Sequence, residues 1–194
     1  MKFDKSKKLL VIGRAGMDIY PEPPGTKISD VQEFSTHLGG SAANTCVALS
    51  KLGVSSDLVT CISDDAIGEY IFKKLEDFNV GSNLCRRVDK KFQTQVAVVE
   101  TILKNNQSIL YRNNSCDLQL DKEDIDKINF QDYSAVFISG TALSSSPSRE
   151  AVFYASGKAS TLSIPLIMDM DYRAYNWESD EIKSNIYKKI MKEM

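Results

Sequence analysis

The sequence predicts an α/β protein: a parallel sheet flanked by helices, incomplete at its C-terminus, with a small β-sheet lid. Three observations predict it. Continuous apolar runs, such as Leu9-Leu10-Val11-Ile12 and Ala135-Val136-Phe137-Ile138, have the composition of strands buried on both faces. Segments with helical apolar spacing alternate with them, as Ile67, Ile71, Leu75 and Phe78 do. Between Thr94 and Arg112 the period changes to that of an antiparallel hairpin, which breaks the βα rhythm.

The first strand ends at Gly13-Arg14-Ala15-Gly16. A glycine-bearing turn there raises a dinucleotide site. The third glycine is missing, however, and Pro21, Pro23 and Pro24 follow where a helix is required, which excludes the NAD reading. Asp18 stands just past the strand's carboxyl end, where ligands of open α/β sheets sit. A turn-capping carboxylate is the equal alternative. Residues 21–38, bearing prolines, leave the main sheet.

Gly39-Gly40-Ser41-Ala42-Ala43-Asn44 then opens a helix that Gly53 closes. Ser41 has the chemistry of an N-cap and Gly53 that of a left-handed closing residue. Paired glycines let the backbone approach a ligand, and Asn44 sets an amide in the first helical turn. Ala42, Ala43, Cys46 and Ala48 keep the helix slim for packing on a sheet. A tight turn before a packing helix would explain the small residues alone; the amide beside the glycine pair points to a ligand loop.

Residues 57–62 read as a second buried strand, and Ser63-Asp64-Asp65 caps the helix that Asn79 and Gly81 end. The hairpin runs out over 94–103, turns at Lys104-Asn105-Asn106-Gln107 and returns over 108–112. With residues 21–38 it makes the separate small sheet. Asp121 caps a short acidic helix, residues 135–140 are a third core strand, and Ser146-Pro147 supplies N-cap and first residue of the next helix. Pro165-Leu166-Ile167-Met168 is the fourth core strand, closed by Asp169-Met170-Asp171-Tyr172-Arg173. A last amphipathic helix carries Ile182, Ile186 and Ile190. A doubly wound domain returns to its sheet after such a helix, so the domain reads as unfinished.

A length of 194 residues suits one domain, or a domain with an appended subdomain. With 24 basic and 26 acidic residues mixed along the chain, neither a nucleic acid nor an anionic membrane is expected as partner. No apolar run approaches the roughly 20 residues that span a bilayer, and the charged start gives no signal peptide. Cys46, Cys61, Cys85 and Cys116 form no C-x-x-C pair and read as reduced thiols of a cytoplasmic protein. His37 is the single histidine, so no metal site and no Ser-His-Asp hydrolysis is expected.

Several marks stand in one order: Asp18, Gly39-Gly40-x-x-x-Asn44, Ile62-Ser63-Asp64-Asp65-x-x-Gly68, the extra hairpin, and Asp169-x-Asp171-Tyr172-Arg173-x-Tyr175-x-Trp177. Over essentially its whole length the chain resembles the pfkB (ribokinase-like) family of carbohydrate kinases. Tyr111-Arg112-Asn113-Asn114-x-Cys116-Asp117 and the Asp169–Trp177 stretch look most like members that act on keto-deoxy sugar acids. The resemblance implies ATP-dependent phosphorylation of a terminal hydroxyl, with ATP and Mg2+. It implies that Asp18, Gly39, Gly40 and Asn44 hold sugar hydroxyls and that Arg112 and Arg173 hold a substrate carboxylate. Residues 1–19, 39–91 and 119–194 would be the sugar-binding core; 20–38 and 92–118 would be the lid, closing over the sugar and often making a homodimer contact.

The residue chemistry agrees. Asp18 and the Asn44 carbonyl are acceptors for hydroxyls, and arginine is a planar two-pronged donor to a carboxylate. The competing explanations are a solvated lid-strand charge for Arg112 and a salt bridge to Asp169 or Asp171 for Arg173.

One departure stands out. Family members carry a later glycine-rich segment ending in an aspartate that deprotonates the acceptor hydroxyl at a helix start. No Gly-x-Gly-Asp occurs here, and Gly157-Lys158 lacks the glycine spacing of a Walker A loop. The catalytic base is therefore expected beyond Met194, and no catalytic residue is assigned within the chain. The alternatives are a non-catalytic sugar-acid-binding or interaction module ending at residue 194, or a kinase for 2-keto-3-deoxygluconate or fructose.

Overall fold

The structure, a computed structural model, describes residues 4, 6–174, 177 and 179–193. Tyr175, part of the aspartate–arginine motif, lies outside the described residues. Strand β1 (Lys8–Ile12) opens the main sheet, and β2 (Gly16–Glu22) and β3 (Glu33–Gly39) pair in a second one. Helix α1 (Ser41–Lys51), β4 (Ser56–Ser63), α2 (Ala66–Asp77) and β5 (Cys85–Val88) rebuild the first sheet. The chain revisits the second sheet with β6 (Gln95–Val99) and β7 (Ser108–Tyr111). It then completes the first with α3 (Lys122–Asp126), β8 (Tyr133–Ser139), α4 (Ser148–Thr161), β9 (Leu166–Asp169) and α5 (Asp180–Ile190).

The main sheet is parallel throughout, in the order β5-β4-β1-β8-β9. Its middle strand behaves as its composition requires: Leu10, Val11 and Ile12 are fully buried. Alternation sends Leu10 and Ile12 to the face covered by Ile125 of α3, Val152 and Ala155 of α4, and Ile190 of α5. Val11 goes to the opposite face, beneath Ala42 and Cys46 of α1 and Ile71 and Leu75 of α2. Burying each such side chain stabilises the fold by about 1.5–3 kcal/mol.

From β1 the chain crosses through α1 to β4 on one side; from β8 it crosses through α4 to β9 on the other. The strand order therefore reverses between β1 and β8. In open α/β sheets a crevice opens outside the carboxyl ends of the strands at such a point. The second sheet has the order β3-β2-β6-β7, with the hairpin β6–β7 antiparallel and β6 parallel to β2.

Three elements differ from the sequence reading. Strand β5 was not expected, because its four residues include Arg86 and Arg87. Arg86 is stabilised sideways: its Nε donates to Asp124 at 2.7 Å and its Nη2 to Asp121 at 3.1 Å, both on the capping box of α3. Ser41 is the first residue of α1 rather than its cap; Gly40, at φ +94°, holds the cap position without a side-chain bond. Pro147, not Ser146, is the cap of α4, which begins at Ser148.

Candidate functional site

Asp18 sits inside β2, opposite His37 of β3, rather than in a loop after β1. The turn at Gly13 is short enough that the second sheet starts at Gly16. A β-carbon on Gly39 would lie 2.2 Å from Asp18 Oδ1, so only glycine leaves the carboxylate room there. A β-carbon on Gly40 would lie 2.5 Å from the Arg14 carbonyl oxygen, and its positive φ also requires glycine. That close approach lets the Ala43 N–H, free at the helix start, donate to the same carbonyl at 3.3 Å.

Asn44 follows in the first turn of α1 with its side chain exposed. Asp18, Tyr20, His37, Asn44 and Thr101 line a cleft of about 360 Å³ between the second sheet and α1. Burial raises the Asp18 carboxyl above its ordinary value, against the opposing pull of the Arg14 charge, the Tyr20 hydroxyl and His37. Tyr20 is likewise raised, by burial first and then by Asp18. The site thus keeps a partly desolvated carboxylate beside an exposed amide, two acceptors where a polyhydroxylated ligand has donors.

Arg14 escaped the sequence reading. It is buried, and its Nη1 donates to Oε1 of Gln95 at the start of β6. Its signal is faint: an arginine directly after the glycine that ends the first core strand. Tyr20 and His37, whose rings meet edge to face at 5.4 Å, were equally unannounced.

Arg173 projects from the loop after β9. Its Nη2 lies 2.9 Å from Asp171 Oδ1 and its Nη1 donates to the Tyr172 carbonyl at 3.0 Å. The side chain remains 44% exposed, while that of Asp171 is 3% exposed. The salt bridge weighed as the alternative for Arg173 is therefore present, to Asp171, and it leaves part of the guanidinium open to solvent.

Arg112 is not a solvated lid charge. Its side chain is 7% exposed, and its Nη2 donates to Asp117 Oδ2 at 2.6 Å. The chain turns inward after β7: Cys116 N–H donates to Gln93 O at 3.0 Å, which brings Asp117 beneath the arginine. Ser115 Oγ donates to the other Asp117 oxygen. Arg112 does not line the Asp18 cleft.

A five-stranded parallel α/β sheet whose strand order reverses between β1 and β8, joined to a small second sheet that shares a cleft with α1, is the architecture of carbohydrate kinases of the ribokinase-like type. Residues 6–191 match the pfkB family carbohydrate kinase model. The chain belongs to the pfkB family.

The chain is similar to 5-dehydro-2-deoxygluconokinase of Photobacterium profundum, 34% identical over 95% of this chain and 55% of that protein. It is similar also to 5-dehydro-2-deoxygluconokinase of Clostridium perfringens, 35% identical over 94% of this chain and 55% of that protein. The chain thus spans about 55% of the length of these curated relatives. Among solved structures, a sugar kinase from Pyrococcus horikoshii superposes with a TM-score of 0.78 at 26% identity, covering 95% of this chain and 62% of that one. A fructokinase with bound ATP from Xylella fastidiosa shares the fold, with a TM-score of 0.84 at 21% identity, covering 97% and 56%.

Proposed function

We propose that the chain is the acceptor-binding and lid portion of an ATP-dependent kinase that phosphorylates the terminal hydroxyl of a keto-deoxy sugar acid, 5-dehydro-2-deoxygluconate. The observation that carries this reading is the packing of Asp18 against Gly39 in a cleft shared with Asn44. The relatives' names support the choice of substrate.

In this reading Asp18 accepts hydrogen bonds from sugar hydroxyls, and Arg14 and Tyr20 hold its carboxylate in place. Gly39 and Gly40 let the sugar approach the backbone, and the Asn44 amide accepts or donates to a neighbouring hydroxyl. Arg173 binds the substrate carboxylate with its exposed edge, and Arg112 contributes from the lid once it leaves Asp117. The lid, residues 20–38 and 92–118, closes over the sugar and excludes water. Exposed Phe34, Ile109 and Tyr111 on the edge strands of the second sheet support its packing on a second copy.

ATP would supply the phosphoryl group and Mg2+ its charge neutralisation. Among the described residues no group of three or more His, Cys, Asp or Glu could hold a metal ion. No helix of the described residues is long and apolar enough to cross a membrane.

The test is to incubate the purified chain with ATP, Mg2+ and 5-dehydro-2-deoxygluconate, and to titrate the same sugar acid by calorimetry. Saturable binding with no phosphate ester above a no-protein control is expected, because no Gly-x-Gly-Asp segment supplies the base. Ester formation by the chain alone would overturn the division of labour. Absence of binding would overturn the substrate.

A further inference from the structure

Arg173 is half-exposed, yet it hangs from a deeply buried chain of polar groups. Asp171 Oδ1 holds its Nη2, and Asp171 Oδ2 accepts from Ser139 Oγ at 3.2 Å. Ser139 Oγ also lies 2.9 Å from Ser41 Oγ and 2.9 Å from Thr141 Oγ1. A hydroxyl has one proton, so with that proton on Asp171 both Ser41 and Thr141 donate to Ser139.

These groups meet at the strand-order reversal. Ser139 is the last residue of β8, and Asp171 follows β9. Ser41 is the first residue of α1, one turn before Asn44. At Gly13, after β1, a β-carbon would meet Ala42 Cβ at 2.7 Å and Ser139 Cβ at 2.8 Å, which shows how closely the three elements converge.

We propose that Asp171, fixed by Ser139 and through it by Ser41, is the positioning residue for Arg173 and thereby sets the preference for an acid over a neutral sugar. The inference rests on the reading of Arg173 as the carboxylate-binding residue. A long arginine on a surface loop loses rotamer freedom when it binds, and this entropy opposes affinity. The Asp171 carboxylate, itself oriented by a buried hydroxyl, meets that cost before the ligand arrives. It anchors Nη2 while Nη1 rests on the Tyr172 carbonyl, and the remaining N–H groups of this 44% exposed side chain are left for a ligand. The φ of Asp171, +39°, is tolerated by aspartate and asparagine better than by most residues, so Asp171→Asn keeps the backbone while removing the charge.

Two opposite outcomes separate positioning from simple charge cancellation. If Asp171 only offsets the positive charge of Arg173, removing its charge strengthens acid binding. If Asp171 positions Arg173, the same change weakens it. The experiment titrates wild type, Asp171→Asn, Asp171→Glu and Ser139→Ala with 5-dehydro-2-deoxygluconate and with its uncharged C1 amide. Thermal unfolding of each variant monitors folding.

Wild type should prefer the acid. Asp171→Asn and Asp171→Glu should each lower that preference roughly tenfold, the loss of about one charge-assisted contact. Ser139→Ala should lower it less, and binding of the amide should stay within about twofold in all three. An acid-to-amide ratio that is unchanged, or raised in Asp171→Asn, overturns the inference. A wild type that binds both ligands equally overturns instead the assignment of Arg173. A general loss of fold in Asp171→Asn would lower both affinities together, and Ser139→Ala then decides by the same ratio.

Discussion

The carboxylate of Asp18 fills the space that a side chain on Gly39 would need: Oδ1 is 2.2 Å from the position of a β-carbon there. The two residues lie on neighbouring strands of the second sheet, two register steps apart. The glycine is thus explained by the acid across the strand pair, and the acid is held at the cleft by the absence of a side chain.

Gly39→Ala should therefore displace the Asp18 carboxylate while leaving the fold in place, since the clashing atoms end a side chain that can rotate. Affinity for 5-dehydro-2-deoxygluconate should fall by about tenfold or more, the scale of one hydrogen bond to a charged group. Thermal unfolding should shift little. A large drop in unfolding temperature with unchanged relative affinity would place the role of Gly39 in folding alone.

Arg112→Ala should cost stability before it costs binding. It strips a buried partner from Asp117, whose side chain is 3% exposed. Removing one member of such a pair costs about 3–5 kcal/mol. Chemical denaturation should report that loss, and Asp117→Ala placed on top should cost less than it does in wild type. Equal costs in both backgrounds would show that the two residues do not interact.

The raised Asp18 carboxyl has a sign that can be read from pH. A folded value above the unfolded one means that the ionised form is disfavoured by folding, so stability falls as pH rises from the ordinary value of 3.8 through the raised one. Asp18→Asn, which has no charge to desolvate, should be more stable than wild type above that window. The advantage should vanish below it. Unfolding temperatures measured across the acid range would reveal the crossover; a difference independent of pH would assign it to packing instead.

Much of the fold is legible in the residues, and the failures have identifiable causes. The run at residues 9–12 announces itself because both of its faces are buried, whereas β5 hides because Arg86 is neutralised sideways by Asp121 and Asp124, and Arg87 by Asp64 and Glu69. Gly39, Gly40 and Asn44 are visible as a local pattern. Arg14 is not, since its partner Gln95 lies 81 residues away. Arg112 looks like a surface charge because its burial depends on the turn at residues 113–117 folding back on Gln93. Long-range pairing of polar groups leaves no periodicity, and it decides much of this site.

The most direct test of the central claim is calorimetric titration of 5-dehydro-2-deoxygluconate into the wild-type chain and into Asp18→Ala. The proposed cleft predicts saturable binding by wild type and affinity at least roughly tenfold weaker in the variant, with thermal unfolding showing that the variant stays folded. Equal affinity in the two proteins, or no binding by a folded wild type, would contradict it.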